Sequence, residues 1–131
     1  MKTILVVDDK PSIRNLLARK LEASGLNVIT AEDGEQALVK FRENDVDLII
    51  LDIIMPNKEG LEVIMELRQD YPDLPIFAMS GGSGNIYSGY CVDIAAKFGA
   101  TKTFSKPFSL SDMSDAVLEE LRKIDEKDDE D

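Results

Sequence analysis

The chain has 131 residues, 44% of them hydrophobic, and a formal net charge of −11 at pH 7. This length predicts a single domain with a sizeable core, and so acidic a chain is not expected to bind nucleic acid or an anionic membrane directly. Cys91 has no second cysteine with which to form an internal disulfide, and no apolar stretch reaches the roughly 18 residues of a membrane span, so we expect a cytoplasmic protein.

Two apolar runs each lead directly into acidic residues. The run at 4–7 precedes Asp8 and Asp9, and the run at 48–51 precedes Asp52. Short runs of branched aliphatic residues are typical of parallel strands buried on both faces, and the carboxyl ends of such strands meet at one edge of the sheet. A single aspartate at a strand end could simply begin a turn, but the repetition predicts that Asp8, Asp9 and Asp52 converge in one crevice.

The rest of the chain alternates between helical and strand patterns. Helical spacing of apolar residues predicts helices from Pro11 to before Gly25, over 34–44, from Leu61 to before Tyr71, over 91–98 and from Ser109 onward, and short apolar runs predict further strands at 28–31, 75–79 and 102–105. This alternation predicts an α/β fold: a flavodoxin-like, doubly wound sheet of five parallel strands in the order 2-1-3-4-5, with five helices.

The C-terminal part of the chain contains the start of the last helix and an acidic end. Ser109 and Asp112 form a variant of the capping box that opens a helix. Residues 125–131 carry six acids and one lysine, a composition typical of a solvated, disordered segment. The sequence therefore predicts a domain over residues 1–124 and an acidic tail over 125–131.

Three converging carboxylates would repel one another strongly. Two like charges about 4 Å apart repel by roughly 4 kcal/mol at an effective dielectric constant near 20. Either one carboxylate takes up a proton, or a cation lies among them. Mg²⁺ fits such a pocket, because it prefers hard oxygen ligands and keeps several of its waters.

A hydroxyl and an ammonium group follow two further predicted strands. Ser80 directly follows the fourth strand, and Lys106, which precedes Pro107, directly follows the fifth. Each alone would be an ordinary loop or surface residue, but together with the acids they form a set of donors for phosphoryl oxygens beside a carboxylate that can accept the group. The chain contains no histidine, so a phosphohistidine donor would be another protein, and the alternative donor is a small phosphorylated molecule.

The combination of these motifs resembles the receiver domain of two-component response regulators over residues 2 to about 124. The residues that carry the resemblance are Asp8-Asp9, the Asp52-Ile53-Ile54-Met55-Pro56 segment with Gly60, Ser80 and Lys106-Pro107. The resemblance implies that Asp52 accepts a phosphoryl group from a sensor histidine kinase or phosphotransfer protein. It also implies an Mg²⁺ cofactor bound by Asp9, Asp52 and the backbone carbonyl of Ile54, with Asp8 acting through water, and it implies that Ser80 and Lys106 contact the phosphoryl oxygens.

The same resemblance implies a signalling switch and not an enzyme. Phosphorylation would reshape the face of helix 4, strand 5 and helix 5, which would then bind a downstream protein target, in a monomer or a phosphorylation-dependent dimer. Thr103 departs from the family pattern, because receivers usually have an aromatic residue three positions before the lysine. The neighbouring Phe104 is expected to pack in the core, since successive strand residues face opposite sides.

Several alternatives remain open from the sequence. Within the receiver class, a chemotaxis-type regulator competes with a phosphorelay intermediate, which Thr103 slightly favours, and with the receiver piece of a longer regulator. An aspartate-dependent Mg²⁺ phosphohydrolase would also use strand-end acids and a lysine. That enzyme class generally has a second acid just beyond the nucleophile, whereas residues 53 and 54 are both isoleucine. Flavin binding is disfavoured because Asp8 and Asp9 would repel the phosphate.

Overall fold

A computed structural model of the protein describes residues 1–54, 59–80 and 88–129, with side chains for all of these except 88–92 and 127–129. Within these residues strands and helices alternate strictly along the chain. The strands are β1 (Thr3–Val7), β2 (Asn27–Ala31), β3 (Leu48–Asp52), β4 (Ile76–Ser80) and β5 (Lys102–Ser105), and the helices are α1 (Pro11–Ala23), α2 (Gly34–Glu43), α3 (Gly60–Asp70), α4 (Ser88–Lys97) and α5 (Leu110–Asp129).

The described strands form one parallel sheet in the order β2-β1-β3-β4-β5. The predicted fold class and strand order are therefore confirmed. The register places Val7 opposite Leu51, and Asp52 opposite Met79. Because β1 lies beside β3, the residues that follow Val7 come out next to Asp52 at the carboxyl edge of the sheet.

Both faces of the sheet are covered, which explains why its strands are continuous apolar runs and not alternating ones. Along β1, the side chains of Leu5 and Val7 lie in one apolar cluster with α2 and α3, whereas Ile4 and Val6 lie in the other cluster with α1 and α5. This alternation is the two-residue period of a strand. Phe104 packs against the second cluster as predicted, with its ring centroid 5.6 Å from that of Phe77.

Element boundaries differ from the predicted ones by a few residues at several ends. The helix expected over 91–98 begins at Ser88, and β4 extends one residue further than predicted, to include Ser80. The predicted helix starts at Pro11 and after Ser109 are confirmed. The Ser109 hydroxyl accepts a hydrogen bond from the backbone N–H of Asp112, at 3.2 Å. The Met55-Pro56 turn and the Gly81 to Tyr87 segment lie outside the described residues.

The acidic end of the chain differs from its prediction. Helix α5 continues through Asp129, so residues 125–129 are helical where the composition predicted a disordered tail. Asp125 pairs with Lys2 at 3.0 Å, and Arg122 pairs with Glu119 and Glu126 one turn away on either side. These ion pairs offset part of the acidic repulsion along the helix. The placement of a domain boundary at residue 124 stays a prediction, and residues 130 and 131 lie outside the described part.

None of the described helices combines enough length with enough hydrophobicity to cross a bilayer. The longest, α5, carries many charged residues along its 20 positions.

Gly60 allows α3 to begin directly against the end of β3. A Cβ atom at this position would lie 2.3 Å from the backbone oxygen of Asp52 and 2.7 Å from the Cα of Ile53. The Gly60 N–H donates a 2.7 Å hydrogen bond to the carbonyl of Ile53. Because both obstructing atoms belong to the backbone, only glycine fits without moving the strand end that carries Asp52.

We predict that Gly60→Ala destabilises the protein, although alanine normally favours a helix. The clash should lower the free energy of unfolding by about 1–3 kcal/mol, the usual cost of overpacking. Urea unfolding followed by circular dichroism measures this quantity. Glu59→Ala is the matched control, since Glu59 is exposed and its side chain caps nothing. Equal stabilities of the two variants would contradict the predicted close approach.

Candidate functional site

The three predicted carboxylates lie together at the carboxyl edge of the sheet. Asp8 and Asp9 follow β1, Asp52 is the last residue of β3, and one carboxylate oxygen from each lies within 4.8 Å of the other two. Asp8 is fully buried, Asp52 is 5% exposed and Asp9 is exposed. Two carboxylates of the cluster are therefore buried and the third faces solvent, so a cation could enter the site from the side of Asp9.

The ammonium group of Lys106 contacts the two buried carboxylates of this cluster. Its Nζ donates to Oδ2 of Asp8 at 2.6 Å and to Oδ2 of Asp52 at 3.1 Å. The Lys106 side chain is only 12% exposed, so these are shielded ion pairs and not surface ones. The backbone N–H of Lys106 donates to the carbonyl of Ser80 at 2.8 Å, which extends the pairing of β5 with β4 by one residue.

Neighbouring backbone groups and one further side chain orient the acids. The N–H of Lys10 donates to Oδ1 of Asp8 at 2.9 Å, and the N–H of Ile54 donates to Oδ1 of Asp52 at 3.2 Å. Arg14, on the first turn of α1, donates from Nη1 to the backbone carbonyl of Asp8 at 2.8 Å. Arg14 is not among the site residues predicted from the sequence. Its position just inside the helix that follows the acid pair is the feature that could have pointed to it.

The other predicted site residues lie at the same edge. Ser80 is the last residue of β4, lies opposite Ser105 and is only 1% exposed. The preceding residue, Met79, pairs with Asp52, so Ser80 lies close to the acidic cluster along the sheet edge. Ile54 follows Asp52 by two residues, and its side chain is 50% exposed. Thr103, which occupies the position where an aromatic was expected, is half-buried and lies opposite Ala78.

The electrostatics of the pocket favour added positive charge. Burial raises the pKa of the Asp52 carboxyl, Lys106 partly offsets this effect, and the charge of Asp8 raises the pKa further. Burial alone would lower the pKa of Lys106, but its hydrogen bonds and attraction to Asp8 and Asp52 outweigh burial, so its pKa is raised. Lys106 is thus a fixed cation, whereas the ionised form of Asp52 is destabilised by its surroundings.

The residues present fit a magnesium ion. Hard carboxylate oxygens from Asp8, Asp9 and Asp52 converge at one opening, and the single ammonium of Lys106 leaves this group with excess negative charge. Mg²⁺ matches such a donor set because one or two carboxylates and several waters complete its coordination. The further ligand expected from the backbone carbonyl of Ile54 stays a prediction.

Comparison with known proteins shows the family. A family profile for the response regulator receiver domain matches residues 4–118. The chain belongs to the response regulator receiver family. Its fold agrees with solved receivers: a receiver domain protein from Clostridium thermocellum superposes with a TM-score of 0.85 at 27% identity, over 95% of this chain and 98% of that one.

Two further relatives place this receiver among signalling proteins. The response regulator TrrA of Thermotoga maritima, solved in complex with Mg²⁺-BeF, is 40% identical with a TM-score of 0.78, covering 92% of this chain and 99% of that one. The alkaline phosphatase synthesis transcriptional regulatory protein PhoP of Bacillus subtilis is 39% identical over 93% of this chain and 49% of its own length. This receiver therefore spans about half the length of the curated relatives it matches.

We predict that Asp52→Asn stabilises the receiver in the absence of Mg²⁺. A raised pKa in the folded state means that ionised Asp52 lowers stability above the ordinary carboxyl range near pH 4, and that this cost disappears as pH falls below that range. The neutral isostere removes the cost while Lys106 keeps Asp8 as its partner. At pH 7 we expect an increase in the free energy of unfolding of more than the ~0.5 kcal/mol typical of surface substitutions.

Chemical unfolding in EDTA at pH 7 and pH 4 measures this difference. Asp45→Asn is the matched control, because it removes the same charge from an exposed position. The gain should be absent in Asp45→Asn and should shrink at pH 4. A loss of stability in Asp52→Asn at pH 7 would show that the ion pair with Lys106 outweighs the burial of the carboxylate.

Proposed function

We propose that this receiver is a phosphorylation-activated switch in which Asp52 accepts a phosphoryl group from the phosphohistidine of a sensor kinase or phosphotransfer protein. The observation that carries the proposal is the position of Asp52. Its carboxylate is nearly buried, clusters with the acids that follow β1, accepts a hydrogen bond from the Lys106 ammonium, and ends a strand that Gly60 approaches closely. A carboxylate and a phosphoryl group are both negatively charged and repel each other. Positive charge beside Asp52 is therefore needed before its carboxylate can attack.

The transfer forms a bond between phosphorus and one Asp52 oxygen while the phosphorus–nitrogen bond breaks and its electron pair returns to the imidazole. Phosphoryl transfer depends mainly on positioning and on neutralising charge on the equatorial oxygens. Asp9, Asp52 and the carbonyl of Ile54 would hold a bound Mg²⁺, with Asp8 acting through water, and the ion would supply part of that neutralisation. The Ile54 N–H holds Oδ1 of Asp52, so Oδ2, which faces the Lys106 ammonium, would be the oxygen that attacks the phosphorus.

Lys106 and Ser80 would connect phosphorylation of Asp52 to the surface that binds a downstream protein. The Lys106 ammonium already contacts an Asp52 oxygen, so it is within reach of a phosphoryl group on that carboxylate. Ser80 would donate its hydroxyl to another phosphoryl oxygen. Ser80 ends β4 and Lys106 follows the adjacent β5, so their movement would be transmitted to the face made of α4, β5 and α5. A downstream protein would bind that face, in a monomer or in a phosphorylation-dependent dimer.

A second candidate is the receiver part of a longer transcriptional regulator. The support is that the matched curated relatives are about twice as long and that several are named as transcriptional regulators. In that case DNA binding would belong to another domain, and the prediction that these residues do not themselves contact nucleic acid is unchanged. The chemotaxis and phosphorelay alternatives both keep the same chemistry at Asp52. We also propose a cytoplasmic location, which fits a kinase partner.

A phosphohydrolase has less support than a switch. Its catalytic acid would be expected just beyond Asp52, but that stretch is apolar. Ile53 is buried in the core cluster, and the Ile54 side chain is half exposed to solvent. Neither can donate a proton to a leaving group, so the residues beside Asp52 favour a phosphoryl group that is accepted and kept over one that is rapidly released to water.

The proposal predicts stoichiometric phosphorylation of Asp52 by a small phosphodonor. Incubation with acetyl phosphate and Mg²⁺ should add one phosphoryl group to the wild type in intact-mass spectrometry. Asp52→Asn should remain unmodified, and EDTA should prevent the reaction in the wild type. Asp45→Asn, the control, should behave like the wild type. Equal modification of Asp52→Asn, or none in the wild type, would contradict the proposal.

A further inference from the structure

The edge of the sheet opposite the acidic cluster contains a groove of about 540 Å³, which we call the amino-edge groove. It lies where β1, β3 and β4 begin and where α3 ends, with one side formed by α5. Its lining residues are Lys2, Val46, Asp47, Asp70, Tyr71, Pro72, Asp73, Leu74, Pro75 and Ile124. None of them takes part in the chemistry proposed for Asp52.

One wall of the amino-edge groove is rigid. Residues 71–75 contain two prolines, whose rings fix the backbone angle φ. Arg68 holds this wall from behind, because its Nη1 donates to the carbonyls of Tyr71 and Pro72, at 3.0 and 2.8 Å. The same guanidinium donates twice to the carbonyl of Gly99, at 2.7 and 3.1 Å. The wall is therefore tied to the turn after α4.

The other wall is fixed by hydrogen bonds between the starts of two strands. Oδ2 of Asp47 accepts a hydrogen bond from the backbone N–H of Thr3 at 2.7 Å, and the Asp47 N–H donates to the Thr3 carbonyl at 2.8 Å. Since both walls are held in place, a ligand would bind with little ordering of the protein, which lowers the entropic cost of binding. The shape of the groove is preformed.

The groove combines an apolar floor with an acidic rim. Val46, Leu74 and Ile124 are partly buried and pack against the two core clusters. Of the described lining residues, three are aspartates, and the lining lysine, Lys2, is paired with Asp125 at 3.0 Å. The guanidinium of Arg68 offsets part of the charge of Asp73, and the rim still keeps a surplus of negative charge.

Tyr71 adds a surface for a cation. Its side chain is 46% exposed, and its ring packs edge-on against Phe41, with centroids 5.0 Å apart. This contact fixes the ring while part of it stays open to solvent. An aromatic face near carboxylates binds ammonium or guanidinium groups through cation–π attraction. The groove thus offers three complementary contacts to one kind of ligand: apolar area, negative charge and an aromatic ring.

We propose that the amino-edge groove is a docking site for a partner protein segment in which lysine or arginine residues stand next to apolar ones. The basic side chains would pair with Asp70 and Asp73, and the apolar ones would cover Leu74 and Ile124. Charge complementarity with a strongly acidic chain supports this occupant. Because the groove lies at the opposite edge of the sheet from Asp52, docking here does not depend on phosphorylation and would hold a partner in both states of the switch.

The test uses a 12-residue peptide of alternating lysine and leucine as the probe. ¹⁵N-labelled protein is titrated with it in saturating Mg²⁺, so that the acidic cluster is occupied. Saturable shifts confined to the amides of Val46, Asp47, Leu74 and Ile124 and their neighbours are expected. Peptides with glutamate for lysine, or serine for leucine, should bind at least roughly tenfold more weakly, which corresponds to about 1.4 kcal/mol.

Two charge-reversal variants separate groove binding from attraction to the acidic protein as a whole. Asp70→Lys changes the rim at the last residue of α3, where a lysine suits the helix dipole and should not impair folding. Asp115→Lys makes the same change of net charge at an exposed position on α5. Asp70→Lys should weaken the lysine–leucine peptide roughly tenfold and Asp115→Lys less than about twofold.

Equal weakening in both variants, shifts centred on other residues, or no saturation would overturn the proposal. Self-association through the groove, seen in sedimentation as a dimer that Asp70→Lys abolishes, would replace the partner segment with a second copy and would also overturn it. The peptide should bind Asp52→Asn with the same affinity as the wild type. That comparison separates this docking proposal from the proposed phosphorylation, which is tested by acetyl phosphate alone.

Discussion

The ion pairs of Lys106 with Asp8 and Asp52 are the interaction on which the site depends. They place one largely shielded ammonium between two buried carboxylates, at 2.6 and 3.1 Å, and leave Asp9 at the open side. Without Lys106 the two buried acids would face each other uncompensated, which a folded protein avoids by protonation or by moving apart. With Lys106 in place, both acids can stay buried in the folded protein, and the pocket still carries excess negative charge that a divalent cation can neutralise.

The strand order brings the groups of the pocket together from separate strands. Asp8 follows β1, Asp52 ends β3, Ser80 ends β4 and Lys106 follows β5. The phosphorylation that we propose for Asp52 would therefore act on several strand ends at once. At the opposite edge, Arg68 holds the carbonyls of Tyr71 and Pro72, and Thr3 pairs with Asp47, so we expect that edge to keep the same surface in both states.

Much of the fold and the acidic cluster could be predicted because their signals are local. Ile4 to Val7 and Leu48 to Leu51 are buried on both faces, so each run is apolar throughout, and the acids that follow them mark the strand ends. Other features depend on contacts that are distant in sequence. Arg14 acts on a backbone carbonyl, so its only mark in the sequence is its place just inside the helix that follows the acid pair. The helical state of residues 125–129 involves an ion pair between Asp125 and Lys2, at the two ends of the chain.

The role of the Lys106 ion pairs is tested best by a structure of the receiver crystallised with Mg²⁺ and beryllofluoride, an analogue of a phosphoryl group. We expect a metal ion bound by Asp9, Asp52 and the carbonyl of Ile54, with the analogue on Asp52 and the Lys106 ammonium moved from the carboxylate to a fluorine of that analogue. An ion bound elsewhere, or an analogue on Asp52 with Lys106 turned out into solvent, would contradict this expectation.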